Sequence, residues 1–141
     1  MWGSVLPSPA TNSSSKWAGG GFLSTPQDLV RFGVALLDGK IVNAEIRERM
    51  FDPRQTTDGK PNEQNYGLGW RVGQMQYPEG SNQNIRIVHH GGTSVGAQCI
   101  LLLVPEQEIV VAISANSHTG GSGKLLQTAA LIAQQFMVDD E

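Results

Sequence analysis

The stretch "AQCILLLVPEQEIVVAIS", Ala97 to Ser114, decides how the chain folds. Ala97 to Val104 and Ile109 to Ser114 both read as strands, rich in Val, Ile and Leu. Only the short turn Pro105-Glu106-Gln107-Glu108 separates them, so they pair antiparallel. Along the first of them Cys99, Leu101 and Leu103 face one way, and Ile100, Leu102 and Val104 the other. A strand that is apolar on both faces needs a cover on both. One cover is legible downstream, where Leu125, Ala129, Ile132, Ala133 and Phe136 form the apolar stripe of a C-terminal helix.

Upstream, Ile85 to His89 reads as another strand. "YGLGWRVGQMQ", Tyr66 to Gln76, reads as one more, interrupted by glycines, with a turn over Tyr77 to Gln83. Ser24-Thr25-Pro26-Gln27-Asp28 is a helix start: a hydroxyl cap, an early proline and an acid in the first turn. Leu29, Phe32, Gly33 and Leu36 follow at helical spacing, and Asp38-Gly39 stops the run. Asn43 caps a shorter helix that reaches about Met50, and 52–65 is a polar loop. The helix near 26–37 and the loops supply part of the second cover, and not all of it. Residues 1–16, rich in Ser, Pro and Asn and without periodicity, read as a flexible arm ahead of one domain over 17–141. The expected fold class is α+β: an antiparallel sheet of about four strands, a C-terminal helix packed on it, and N-terminal helices.

Composition narrows the function. The chain has 141 residues, enough for one core, and a net charge of −3 with 16% charged residues. No clustered Lys and Arg surface suits a nucleic acid. No apolar run approaches the ~20 residues that span a bilayer. The first residues, MWGSVLPSPATNSSSK, hold no apolar core of signal-peptide length, and the sequence assigns no compartment. Cys99 is the one cysteine, so no internal disulfide forms, and its place in an apolar strand makes it a small buried hydrophobe.

The chemistry candidates cluster around glycines. His89-His90-Gly91-Gly92-Thr93 runs into the apolar hairpin. Adjacent strand residues point to opposite faces, so His89 and His90 cannot chelate one ion together, and no zinc-type spacing occurs elsewhere. No metal and no cofactor are expected. Gly120-Gly121-Ser122-Gly123-Lys124-Leu125 departs from a phosphate loop at both ends and reads as a connection. His118-Thr119-Gly120-Gly121 follows a strand instead of opening one, and is a decoy. Ser13-Ser14-Ser15-Lys16 matches a Ser-x-x-Lys nucleophile formally, but that chemistry needs both residues on one helical face, and the run is polar and low in complexity. His90 can be cationic or neutral near pH 7, and the glycines admit a second backbone, while the Thr93 N–H can aim at an oxyanion. Read alone, these residues favor a structural turn over a site.

From Trp17 onward the order of segments resembles the C-terminal part of the serine β-lactamase-like superfamily. Its near branches are class C β-lactamases, D-alanyl-D-alanine carboxypeptidases, related esterases and mitochondrial β-lactamase-like proteases. The segments that carry the resemblance are "WAGGGFLSTPQDLVRFGVALLDGKIV", "YGLGWRV", "HGGTSVGAQCILLLVPEQEIVVAISAN" and the closing amphipathic helix. The resemblance implies a partial β-lactamase/transpeptidase-like fold and acyl transfer through a covalent serine ester on ester, peptide or β-lactam substrates. It puts His90 at the Lys/His position of the Lys-Thr-Gly or His-x-Gly element, Gly91 in the middle and Gly92 on the glycine. It puts Thr93 where the family takes an oxyanion-hole N–H. Gly91, Gly92 and Ser94 would then line the substrate, which pairs with the strand near Thr93. The helical Ser-x-x-Lys and the Tyr-x-Asn of the family have no counterpart here. The expectation is therefore a C-terminal portion of such a hydrolase, inactive alone, with a complementary half carrying Ser-x-x-Lys as partner and self-association through the incomplete sheet. The alternative expectation is a non-catalytic scaffold or peptide-binding module of the same fold.

Overall fold

The structure, a computed structural model, describes residues 7–12, 14–78, 81–117 and 121–137. Its center is a four-stranded antiparallel sheet in the order β1-β2-β3-β4: Arg71–Gln76, Asn84–Ser94, Ala97–Val104 and Ile109–Ala115. The hairpin read from Ala97 to Ser114 forms as expected, with Val104 opposite Ile109 across a 3-10 turn at Pro105–Gln107. Three α-helices accompany the sheet: α1 Pro26–Leu37, α2 Ala44–Met50 and α3 Gly121–Gln134.

The alternation along β3 sorts the core into two layers. Ile100, Leu102 and Val104 join Met75, Ile87 and Val111 under Ala129, Ala133 and Met137. Leu101 and Leu103 join Val88 on the opposite face, beneath Leu36 of α1 with Phe51 and Trp70. Phe51 meets the Trp70 ring edge-on, with centroids 5.8 Å apart. Thr25 caps α1 by accepting from the Asp28 N–H at 3.2 Å, and Asn43 caps α2 by accepting from the Ile46 N–H at 2.9 Å.

Three details differ from the sequence reading. The stripe of α3 is rotated: Leu125, Leu126, Ala129, Ala130 and Ala133 face the sheet, whereas Ile132 and Phe136 are 38% and 69% exposed. The helix ends at Gln134, so Phe136 leaves the helical register and Met137 takes the inward place. The strand expected from Tyr66 begins only at Arg71, because Gly69 is left-handed at φ +82° and Tyr66 to Trp70 turn back on themselves. The strand expected to stop at His89 continues through the glycines to Ser94.

Of the first sixteen residues, 1–6 and Ser13 lie outside the described set, as do His118, Thr119 and Gly120 of the second His-x-Gly and of the phosphate-loop-like run. Residues 7–12 have no regular structure, yet the Ser8 hydroxyl donates to the Val95 carbonyl at 3.1 Å. Ser14 and Ser15 lie in a turn, not on an α-helix.

Candidate active-site wall

Strand β2 is staggered between its neighbors. Asn84 to His89 pair with β1, and Val88 to Ser94 pair with β3. From His90 to Ser94 the edge on the β1 side therefore carries no strand partner among the described residues. The His-Gly-Gly run is not a turn. Its residues are in register, His90 with Leu101, Gly91 with Ile100, Gly92 with Cys99 and Thr93 with Gln98. The turn is confined to Val95 and Gly96, where Gly96 is left-handed at φ +71°.

Alternation assigns the faces. His90, Gly92 and Ser94 share the side of Cys99 and Leu101, the α1 side of the sheet. Gly91 and the Thr93 side chain belong to the α3 side, so toward the His90 face Thr93 offers backbone alone. The α1 layer stops at Leu101, and His90 and Ser94 are exposed beyond it.

One partner of His90 was not singled out from the sequence. The Tyr66 hydroxyl lies 2.8 Å from His90 Nε2, with the rings edge-on at 5.8 Å. The neutral imidazole accepts a hydrogen bond from the phenol O–H there, and the imidazolium donates one to the phenol oxygen. The "YGLGW" segment builds this contact. A Cβ at Gly67 would overlap the Met50 carbonyl oxygen, so only glycine lets the loop close over α2. Leu68 N–H donates to that carbonyl at 3.0 Å, Gly67 N–H to Trp70 O at 2.8 Å, and Arg54 N–H to Tyr66 O at 2.9 Å. A tyrosine followed by two glycines, Tyr66-Gly67-Leu68-Gly69, just ahead of a strand, was the signal that could have found Tyr66.

His89 has a different environment. It is half-buried, its Nδ1 has no hydrogen-bond partner, and its pKa is pushed down to about 4. Burial is the main cause, with the Arg71 and His90 charges adding to it. His89 stays neutral at pH 7 and faces away from the open side. Cys99 is a free, half-buried thiol, not a fully buried one, and sits across from Gly92. Among the described residues no three His, Cys, Asp or Glu side chains group to hold a metal ion, and no helix is long and apolar enough to cross a membrane.

A sheet with one helix-covered face, a second face covered only in part, and a His-x-Gly segment on the unpaired end of β2 is consistent with a partial serine β-lactamase-like α+β fold. The pattern of the Beta-lactamase family matches residues 2–135, and the chain belongs to that family. It is 32% identical to the human (Homo sapiens) protein "Serine beta-lactamase-like protein LACTB, mitochondrial" over 165 aligned positions, covering 96% of this chain and 30% of that protein. The proteins of the same name from Mus musculus and Bos taurus are also 32% identical, with 29% of each covered. The chain thus spans under a third of the length of these relatives.

Proposed function

We propose that this chain forms one wall of the active site of a serine hydrolase that acts by acyl transfer on ester, peptide or β-lactam bonds. The observation that carries the reading is the Tyr66–His90 pair at the head of an unpaired strand edge. A substrate laid along His90 to Ser94 would add a strand to that edge, with Gly91 and Gly92 giving its backbone room. The reacting carbonyl would sit at Thr93, whose amide N–H would supply one donor to the tetrahedral oxyanion. The serine oxygen would attack the carbonyl carbon, the leaving group would depart with a proton, and water would release the acyl group. His90, steered by Tyr66, would bind or protonate at the leaving side.

The nucleophile on this reading comes from a complementary segment carrying a helical Ser-x-x-Lys, and the chain alone is inactive. The outer edge of β4 has no strand partner among the described residues, which gives such a segment, or a second copy, a place to dock. Self-association is therefore expected, and a clean monomer by light scattering at high concentration would count against it. The open β2 edge also supports a second reading, a non-catalytic module that binds extended peptides.

The test joins the chain to a Ser-x-x-Lys segment and follows ester hydrolysis against pH. Cationic His90 predicts a fall above the histidine pKa, abolished in His90→Gln. A flat profile from about pH 6 to 9 would remove His90 from the mechanism.

A further inference from the structure

Tyr66 and His90 lie 24 residues apart in the chain, and their contact has a direction. The backbone around the phenol is pinned on both sides. Arg54 N–H donates to the Tyr66 carbonyl at 2.9 Å, Gly67 N–H to Trp70 O at 2.8 Å, and Val72 N–H to Asn65 O at 2.9 Å. Asn65 is left-handed at φ +47°, a conformation asparagine tolerates, and it turns the chain just ahead of Tyr66. The hydroxyl meets His90 at Nε2, 2.8 Å away. His90 is exposed, and its Nδ1 has no hydrogen-bond partner among the described residues. One ring nitrogen is therefore engaged and the other is open. Tyr66 is followed by Gly67 and Leu68, so it is not the tyrosine of a Tyr-x-Asn element.

Hydrogen-bond chemistry decides which nitrogen carries the proton. A phenol O–H is a stronger acid than a neutral imidazole N–H, and the bare imidazole nitrogen is a stronger base than a phenol oxygen. The O–H···N arrangement therefore wins, and it requires Nε2 to be the bare nitrogen. The proton of the neutral ring then sits on Nδ1. We propose that Tyr66 is a positioning residue that locks neutral His90 in its Nδ1–H form, so that the ring offers a hydrogen-bond donor, not a base, on the open side of the sheet. The group this donor selects is an oxygen acceptor, a carbonyl or a carboxylate. Acidification adds a proton at Nε2, which donates to the phenol oxygen, and leaves the Nδ1–H in place. The donor survives in both charge states and only its strength changes, since a charge-assisted bond is about twice as strong as a neutral one. The consequence for catalysis rests on the hydrolase reading: above the histidine pKa the rate falls to a plateau instead of to nothing.

The isolated chain suffices for the test. Two-bond nitrogen–proton NMR of the imidazole rings reads each tautomer directly at about pH 8.5, where histidines are neutral and tyrosines still protonated. His90→Gln assigns the signals. His90 should carry its proton on Nδ1 with a preference of about tenfold, the factor one ordinary hydrogen bond supplies. Tyr66→Phe keeps the ring and should return His90 to a mixture of both tautomers, while His89 keeps its pattern. His90 protonated on Nε2 overturns the proposal from the parent spectrum alone, whether or not the variant folds. An unchanged tautomer ratio in folded Tyr66→Phe overturns it as well. The catalytic consequence is read in the chain joined to a Ser-x-x-Lys segment. There Tyr66→Phe should lower the high-pH plateau more than the rate below about pH 6. A locked tautomer beside a flat pH profile upholds the lock and removes His90 from the hydrolase reading, so the two fail separately.

Discussion

The two halves of β2 share one strand and have opposite environments. Asn84 to His89 lie against β1, and the other side of that half is closed by ion pairs: Arg86 reaches Glu106 at 2.8 Å and Glu48 of α2 at 2.9 Å. Ile87 and Val88 are buried, one in each core layer. His90 to Ser94 pair only with β3, and nothing apolar in them is buried. The first half is built to hold the sheet, and the second is held by it. That division explains adjacent histidines with unlike properties: His89 is neutral and half-buried, and His90 is exposed and bonded to a phenol.

The largest effect expected from this contrast is on stability. Ile87→Ala should cost about 3 kcal/mol, in the range for a truncated core aliphatic, whereas His90→Gln should cost less than about 1 kcal/mol. Urea unfolding of the two variants checks it, and equal losses would erase the distinction between the halves.

Next in size is Gly92→Ala. The added methyl would lie 3.1 Å from the Cys99 sulfur, tight enough that the thiol must move. A destabilization of about 1 kcal/mol is expected, together with weaker binding of any peptide along the edge. Calorimetry and titration with an extended peptide read the two effects separately.

A further effect is on pH dependence. His89 titrates near 4 in the folded chain against 6.5 when unperturbed. Between those values the unfolded state holds the extra proton, so stability rises with pH across the window and falls on acidification from about 6.5 to 4. His89→Gln should lose less stability than the parent between pH 7 and 4.5. Identical losses would show that burial of His89 does not act on folding.

Much of this was legible in the sequence, for reasons that differ by element. β3 was read to the residue because a short, continuous apolar run bounded by turn residues has the length of a buried strand. α1 was read from its cap, since Thr25, Pro26 and Asp28 state the start outright. The site was half legible. His90, Gly91, Gly92, Thr93 and Ser94 do fall on one strand, but Gly91 and Gly92 suggested a break that the ladder to Ile100 and Cys99 overrides. Tyr66 was harder to read: the glycines after it mark a close backbone approach, but its contact with His90 depends on the tertiary approach of Gly67 to Met50.

The proposed function has this chain provide a catalytic wall without the nucleophile. The direct test is labeling with a fluorophosphonate probe, read by intact mass, on the chain alone and on the chain joined to a Ser-x-x-Lys segment. The account predicts no serine labeled in the chain alone and one labeled in the joined protein, slowed by His90→Gln. Stoichiometric labeling of a serine in the isolated chain would contradict it.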